Sequence, residues 1–218
     1  IAYPMSNVKV IAVGGGYSYA SLGPSHHATE EIGMLRTIPN MVICAPGDPV
    51  ETRFITKWSA NYNGPVYIRL GKAGEPVVHD SENINIALGA PLLVSNQNAK
   101  QSLITSGSML HPATTFVREN GICADVYSLP FIKPLDKKAF VEFFEKYSHI
   151  ISLEEHQASC GTGSALLEVM NDLYQEKLIS SMPSVKRIAI PDKFVSVSGD
   201  QDYLRKIAGI VLKIEDFI

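Results

Sequence analysis

Two histidines side by side, His26 and His27, close a glycine-rich stretch that begins at Gly14-Gly15-Gly16 and ends in Gly23-Pro24-Ser25-His26-His27. An imidazole titrates near neutrality, so one that points into a cleft could orient a substrate or move a proton. A loop histidine satisfied by its neighbours is the plainer alternative. Adjacent residues of an extended loop point to opposite sides, and no carboxylate or thiolate at ligand spacing accompanies the pair. The two histidines are therefore not expected to chelate one metal ion. A second set is cationic. Arg69 and Lys72 flank the end of an apolar run, with Lys57 upstream, and a cation there could meet a phosphate. A solvated surface charge is the simpler reading. The third set is Glu154-Glu155-His156, followed by Cys160-Gly161-Thr162-Gly163-Ser164. Its glycines could let backbone amides and a helix N-terminus hold an anion. GTG lacks the third glycine of a dinucleotide fingerprint, however, and close helix-to-sheet packing explains it equally well. The acid pair with His156 reads as an ion-pair network at an interface in preference to a catalytic dyad, and Cys160 as a bystander thiol.

These residues need elements to hold them. Residues 8–13 are a short β-branched run that opens directly into the glycine stretch, which predicts a fully buried strand ending where the loop begins. Thr29 followed by Glu30 and Glu31 predicts a helix N-cap with acids in the first turn, and Ile32, Met34 and Leu35 carry an apolar face as far as Pro39. A strand over 41–45, a helix from the Asp48-Pro49 cap to residue 62 and a strand over 66–70 follow. This alternation predicts a parallel sheet with crossover helices, in which ligands gather outside the carboxyl ends of the strands. The glycine loop occupies such a position. Between 71 and 89 the pattern dissolves into Lys, Gly, Pro, Asp, Ser and Asn residues, which sets a boundary between units at 1–78 and 86–218. In the second unit, strands over 102–105, 124–129, 150–153 and 185–190 alternate with helices over 112–120, 137–147 and 164–177. One or two closing helices follow over 201–217. The expected fold class is α/β, as two three-layer α/β/α units with mostly parallel sheets.

Composition excludes several kinds of partner. The 218 residues carry a net charge of -3 with acids and bases interleaved, so there is no basic stripe for nucleic acid or an anionic membrane surface. No apolar stretch approaches the roughly 20 residues that span a bilayer. Three cysteines, Cys44, Cys123 and Cys160, form no CxxC pair, which argues against a zinc knuckle or a disulfide framework and fits a reducing cytoplasm. The opening Ile1-Ala2-Tyr3-Pro4 has no initiator methionine and no basic, signal-like start, so it reads as internal sequence and the first unit as truncated at its N-terminus.

Taken in order, the landmarks resemble the transketolase family. Gly23-Pro24-Ser25-His26-His27 is similar to that family's GPTHQ-type segment, and residues 29–41 to its pattern of helix, IPN and strand. Ala45-Pro46-Gly47-Asp48 and Gly64-Pro65-Val66-Tyr67-Ile68-Arg69-Leu70 fit the same register. In the second unit, Ile151 to His156, Gly161 to Ala165 and Val195 to Gly199 resemble the C-terminal domain of transketolases and deoxyxylulose phosphate synthases. The resemblance covers nearly the whole chain. It implies the later part of a pyrimidine-binding domain followed by a transketolase C-terminal domain. The complete enzyme would use thiamine diphosphate and Mg2+, transfer a two-carbon ketol unit between sugars or sugar phosphates, and work as a homodimer. By the same resemblance His26 is the catalytic histidine beside the thiazolium, and Ser25, His27, Arg69 and Lys72 face the substrate. Lys72 falls where the family often has a phosphate-binding arginine, without that residue's bidentate fork.

Departures bear on specificity and completeness. Leu22 stands where the family has an acid just before GPTH, and Gly14 where it usually has a histidine, which points away from ordinary phosphoketoses. The glutamate that activates the aminopyrimidine and the GDG-to-Asn diphosphate motif are not in this chain. The chain is therefore expected neither to turn over ketoses nor to hold the cofactor tightly without a complementary N-terminal subunit or region. Two alternatives stay open: a non-catalytic assembly or regulatory module, and a 2-oxoacid dehydrogenase β subunit, against which GPSHH and the IPN segment argue.

Overall fold

Three β-branched runs build the first sheet in the computed structural model, which describes residues 1–217. Lys9–Val13 (β1), Val42–Cys44 (β2) and Val66–Leu70 (β3) run parallel, with β3 in the middle. The crossovers place a helix on each face. Glu31–Arg36 (α1) lays Ile32 and Leu35 against Ile43 and Tyr67, while Pro49–Asn61 (α2) lays Phe54, Ile55 and Trp58 against Val42, Cys44 and Ile68. Asp48 caps α2 by accepting from the Glu51 amide at 2.8 Å, with Pro49 in the first turn where its missing N–H costs nothing.

The second sheet contains Leu92–Ser95 (β4), Gln101–Thr105 (β5), Asp125–Ser128 (β6), His149–Gln157 (β8) and Ser184–Ile190 (β9), in the order β4-β6-β5-β8-β9. All pair parallel except β4, which is an antiparallel edge. Leu110–Glu119 (α3) and Gln201–Ala208 (α6) cover one face, and Lys137–Lys146 (α4) and Thr162–Gln175 (α5) the other. The three-layer α/β/α expectation holds for both sheets. One strand crosses between the units in an unexpected way: Phe131–Lys133 (β7) pairs antiparallel with β2 and completes the first sheet as β1-β3-β2-β7. Among the described residues, no helix is long and apolar enough to cross a membrane.

Three local expectations need correcting. β1 is an edge strand and is not fully buried: Ile11 and Val13 are 54% and 57% exposed, because an apolar run has the same appearance at the edge of a sheet as in its middle. Thr29 does not cap α1; the cap position is Glu30, and the Thr29 hydroxyl donates to the Glu30 carboxylate at 2.5 Å. β8 continues past Leu153 to Gln157, so Glu154, Glu155 and His156 lie within a buried strand and do not follow its end. The closing segment contains α6 and a 3-10 turn over Ile214–Asp216. β4 and β7 give no comparable signal in the sequence, each being short and lacking a helix on both sides.

Candidate functional site

The carboxyl ends of β1, β2 and β3 open onto one cavity of about 390 Å3, within the range that small ligands fill. Val13 ends β1, Pro46 and Gly47 follow β2, and Leu70 ends β3 with Gly71 and Lys72 after it. Among its described lining residues, Lys72 is the single cation. This is where a parallel sheet presents a ligand site, because each strand delivers its following loop to the same rim.

The glycine loop leaves β1 at that rim and turns away from it. The amides of Gly14 and Gly15 bond to the Leu70 carbonyl at 3.0 and 2.9 Å, and Gly16 and Ala28 exchange two backbone bonds that close the loop's base. His26 ends a 3-10 turn over Pro24–His26, is exposed, and has its Nδ1 3.1 Å from the Ser25 hydroxyl. His27 is half-buried with its ring edge-on to Tyr17, centroids 5.0 Å apart. Burial lowers the His27 pKa, partly offset by the Ala20 and Val195 carbonyls. The two imidazoles thus face different surroundings. The Ser25, His26 and His27 side chains do not line the Lys72 cavity.

Arg69 points the other way, into the protein. It is 6% exposed; its Nε lies 2.8 Å from Glu31 Oε1, an ion pair bent outside hydrogen-bond geometry, and its Nη2 donates to the Ala28 and Glu155 carbonyls at 2.7 and 2.9 Å. Burial raises the Glu31 pKa, and Arg69 opposes that rise. Of the two candidate cations, only Lys72 reaches an open cavity. Lys57 is exposed on α2.

The Glu154-Glu155-His156 triplet of β8 ties the two units together. Glu155, 2% exposed, accepts from the Tyr17 amide (2.8 Å), the Ser108 hydroxyl (2.8 Å), Arg205 Nη2 (2.7 Å) and the Gln201 amide (3.2 Å). Gly16, at φ +64, lies so close that a Cβ would come within 2.8 Å of that carboxylate. His156 Nε2 accepts from the Gly33 amide at 3.1 Å while its Nδ1 donates to the Gln157 carbonyl at 2.8 Å, an arrangement only the neutral ring can make. Burial, with the Arg69 charge adding to it, pushes its pKa down to about 4.

The anion site offered by Gly161-Thr162-Gly163 is occupied from within. Glu154 accepts from the amides of Thr162 at 2.6 Å and Gly163 at 2.9 Å, so a carboxylate of the chain sits where a ligand's phosphate would. Burial nonetheless pushes the Glu154 carboxyl up to about 7. Cys160 is exposed beside this turn.

Neither of the places that could hold a charged cofactor group suits a metal-bound diphosphate. The α5 N-terminus is taken by Glu154. Among the described residues, the one cluster of potential metal ligands is Asp48, Glu51 and His79. Asp48 uses its oxygens on the amides of Glu51, Val78 and His79, and Glu51 uses its own on the Gly47 amide, the Ser128 hydroxyl and His79 Nε2. The Asp48 and Glu51 spacing marks a capped helix in the sequence, but nothing there signals His79 on the connecting segment. The same is true of Ser108, Gln201 and Arg205, which reach Glu155 from three separate stretches, and of Glu75, which lines the Lys72 cavity three residues further on.

Comparison with known proteins matches both halves of the chain. The transketolase pyrimidine-binding domain model matches residues 2–75, and the transketolase C-terminal domain model residues 92–211. An apulose-4-phosphate transketolase subunit from Phocaeicola vulgatus is 34% identical over 199 residues, covering 89% of this chain and 61% of its own length. The subunit of the same name from Actinobacillus succinogenes is 32% identical, covering 96% and 66%. A putative transketolase C-terminal section from Methanocaldococcus jannaschii is 31% identical, covering 96% and 64%. The chain therefore spans less than two thirds of the length of these relatives. Among solved structures, a split gene transketolase described as an inactive beta4 tetramer superposes with a TM-score of 0.76 at 30% identity, covering 97% of this chain and 64% of that one. With one model over β1, β2 and β3 and another over more than half of the sequence, the chain belongs to the transketolase family.

Proposed function

We propose that this chain supplies the substrate-side wall of a thiamine-diphosphate-dependent transketolase, which transfers a two-carbon ketol unit between sugars or sugar phosphates. Residues 1–78 act as part of the pyrimidine-binding domain and 86–218 as the C-terminal domain. A complementary N-terminal subunit or region brings the diphosphate and Mg2+ site, for which the residues of this chain do not fit. The complete assembly is a homodimer of such pairs and works in the cytoplasm. The observation that carries this reading is the cavity at the carboxyl ends of β1, β2 and β3, with Lys72 as its one described cation. A cation on that rim suits the charged or hydroxylated end of a sugar.

His26 is the proposed catalytic residue. It is exposed on the surface that a partner subunit would cover, and Ser25 fixes its ring through Nδ1, leaving Nε2 for the ketose. Ser25 and His27 border the same surface, while Arg69 supports it from behind by holding the Ala28 carbonyl at the end of the loop. Assembly with a second kind of polypeptide is supported by relatives that are themselves named as transketolase subunits and by the inactive tetramer of a split gene enzyme.

Mixing the purified chain with the complementary N-terminal subunit, thiamine diphosphate and Mg2+ tests the reading through ketol transfer from a panel of ketoses and ketose phosphates. The expected result is activity in the mixture and none with either part, and a drop in turnover of about 10²-fold or more for His26→Ala. No gain on mixing would sink it.

A further inference from the structure

The charge balance of the Lys72 cavity is not that of a phosphate site. Two carboxylates, Asp48 and Glu75, line it alongside the one lysine. Asp48 is already engaged, since both its oxygens accept backbone amides. Glu75 is different. Its Oε1 is buried with no hydrogen-bond partner among the described residues. It also lines the adjoining cavity of about 510 Å3, where Lys72 appears again beside Ser108, His111 and Arg205. A carboxylate there feels both cations and the repulsion of Glu155. Burial raises its pKa most, and the charges of Arg205 and Lys72, with the Lys72 backbone N–H, lower it.

Of those two cations, Arg205 is already held by Glu155 at 2.7 Å and Asp202 at 3.2 Å. The Lys72 ammonium has no ion pair or hydrogen bond among the described residues, and it sits on the same short turn as Glu75, whose carboxylate its backbone N–H faces. Gly71 makes the arrangement possible, because a Cβ at that position would collide with Glu75 Oε1. The carboxylate thus faces any group that approaches Lys72, and it would repel a dianion while accepting a hydrogen bond from a hydroxyl.

We propose that Glu75 determines the substrate class of this cavity, selecting the uncharged, hydroxylated end of a sugar over a phosphorylated one by presenting a carboxylate beside Lys72. This rests on the reading of Lys72 as the substrate-facing cation. A phosphate brought to Lys72 meets like charge at close quarters, whereas a polyol pairs with both side chains, donating to Glu75 and accepting from Lys72.

Inorganic phosphate is the probe, titrated at fixed ionic strength into the full chain and into its Glu75→Gln, Lys72→Ala and doubly substituted forms, with binding followed by calorimetry. Glu75→Gln should bind phosphate about tenfold more tightly than the unsubstituted chain, and the gain should vanish in the double variant. Glu75→Ala is a second route to the same gain, with unfolding midpoints confirming that each variant folds. If phosphate binding depends on Lys72 but is unchanged by either Glu75 substitution, the role given to Glu75 is wrong while the reading of Lys72 stands. A gain that survives Lys72→Ala overturns the proposal as well, since it would then be a general charge effect. If no form binds phosphate in a Lys72-dependent way, the reading of Lys72 itself fails.

Discussion

Acidification should loosen the junction between the two units through His156. The ring accepts the Gly33 amide of α1 and donates to the Gln157 carbonyl, so a second proton would set one N–H against another in a site 1% exposed. Its pKa is held down to about 4 in the folded chain, against about 6.5 for a histidine in an unfolded one. Because the folded value is the lower, the unfolded chain takes up the proton first as pH falls. The contribution of the neutral ring is complete above pH 6.5 and is lost progressively down to pH 4. At about 1.36 kcal/mol per pKa unit, the gap corresponds to about 3 kcal/mol. That is a large part of the roughly 5–15 kcal/mol that holds a typical domain folded.

The measurement is urea unfolding of the unsubstituted chain and of His156→Gln at a series of pH values from 7.5 to 4. Glutamine offers an oxygen to the Gly33 amide and does not titrate. At pH 7.5 the variant should be the less stable, having lost the ring's packing. As pH falls, the difference between the two should shift by about 3 kcal/mol in the variant's favour. Carboxylates that titrate in the same range act on both proteins and cancel in the comparison. Stability curves that run parallel from pH 7.5 to 4 would refute the reasoning.

Glu155 should be the most sensitive single position at the junction. Glu155→Ala leaves the buried Arg205 with only the exposed Asp202 as an ionic partner and removes the acceptor for the Tyr17 amide, at a cost of about 3 kcal/mol in chemical denaturation. A double-mutant cycle with Arg205 isolates the pair from the rest of the network. Gly16→Ala should cost about 1–3 kcal/mol in thermal unfolding, because the φ of +64 and the Glu155 carboxylate both oppose a Cβ. Glu154→Gln should cost about 1–3 kcal/mol, since an amide offers only one oxygen to the two N–H groups of Thr162 and Gly163 and turns its own NH2 toward the other. Hydrogen exchange at those two amides would reveal the loss directly.

How much of this is legible in the sequence depends on whether the cause is local. The α2 boundaries are visible because Asp48 and Pro49 act on the turn that contains them, and the parallel strands because a β-branched run between helical stretches has few other structures open to it. β7 is not visible, because what makes Phe131–Lys133 a strand is the free edge of β2 in a sheet built nearly a hundred residues earlier. At the site, the loop and Lys72 are legible as residues placed after strand ends. Which of them would face a cavity is not, since Arg69 and Lys72 are three positions apart and it is Glu31 with the Ala28 and Glu155 carbonyls that turns Arg69 inward.

The polar triplet at the end of β8 shows why the limit falls there. Three polar residues after an apolar run read as the end of a strand, because an unpaired buried charge costs several kcal/mol. Glu154, Glu155 and His156 remain inside because each finds its partners in a different place: the α5 N-terminus, the glycine loop together with α6, and α1. Those partners come from both units, so the strand can keep its buried polar end only while the units stay docked. The junction is thus a condition for β8 as well as a contact made by it, and a substitution at Gly16 or Gly33 should fray the end of β8 from the opposite unit.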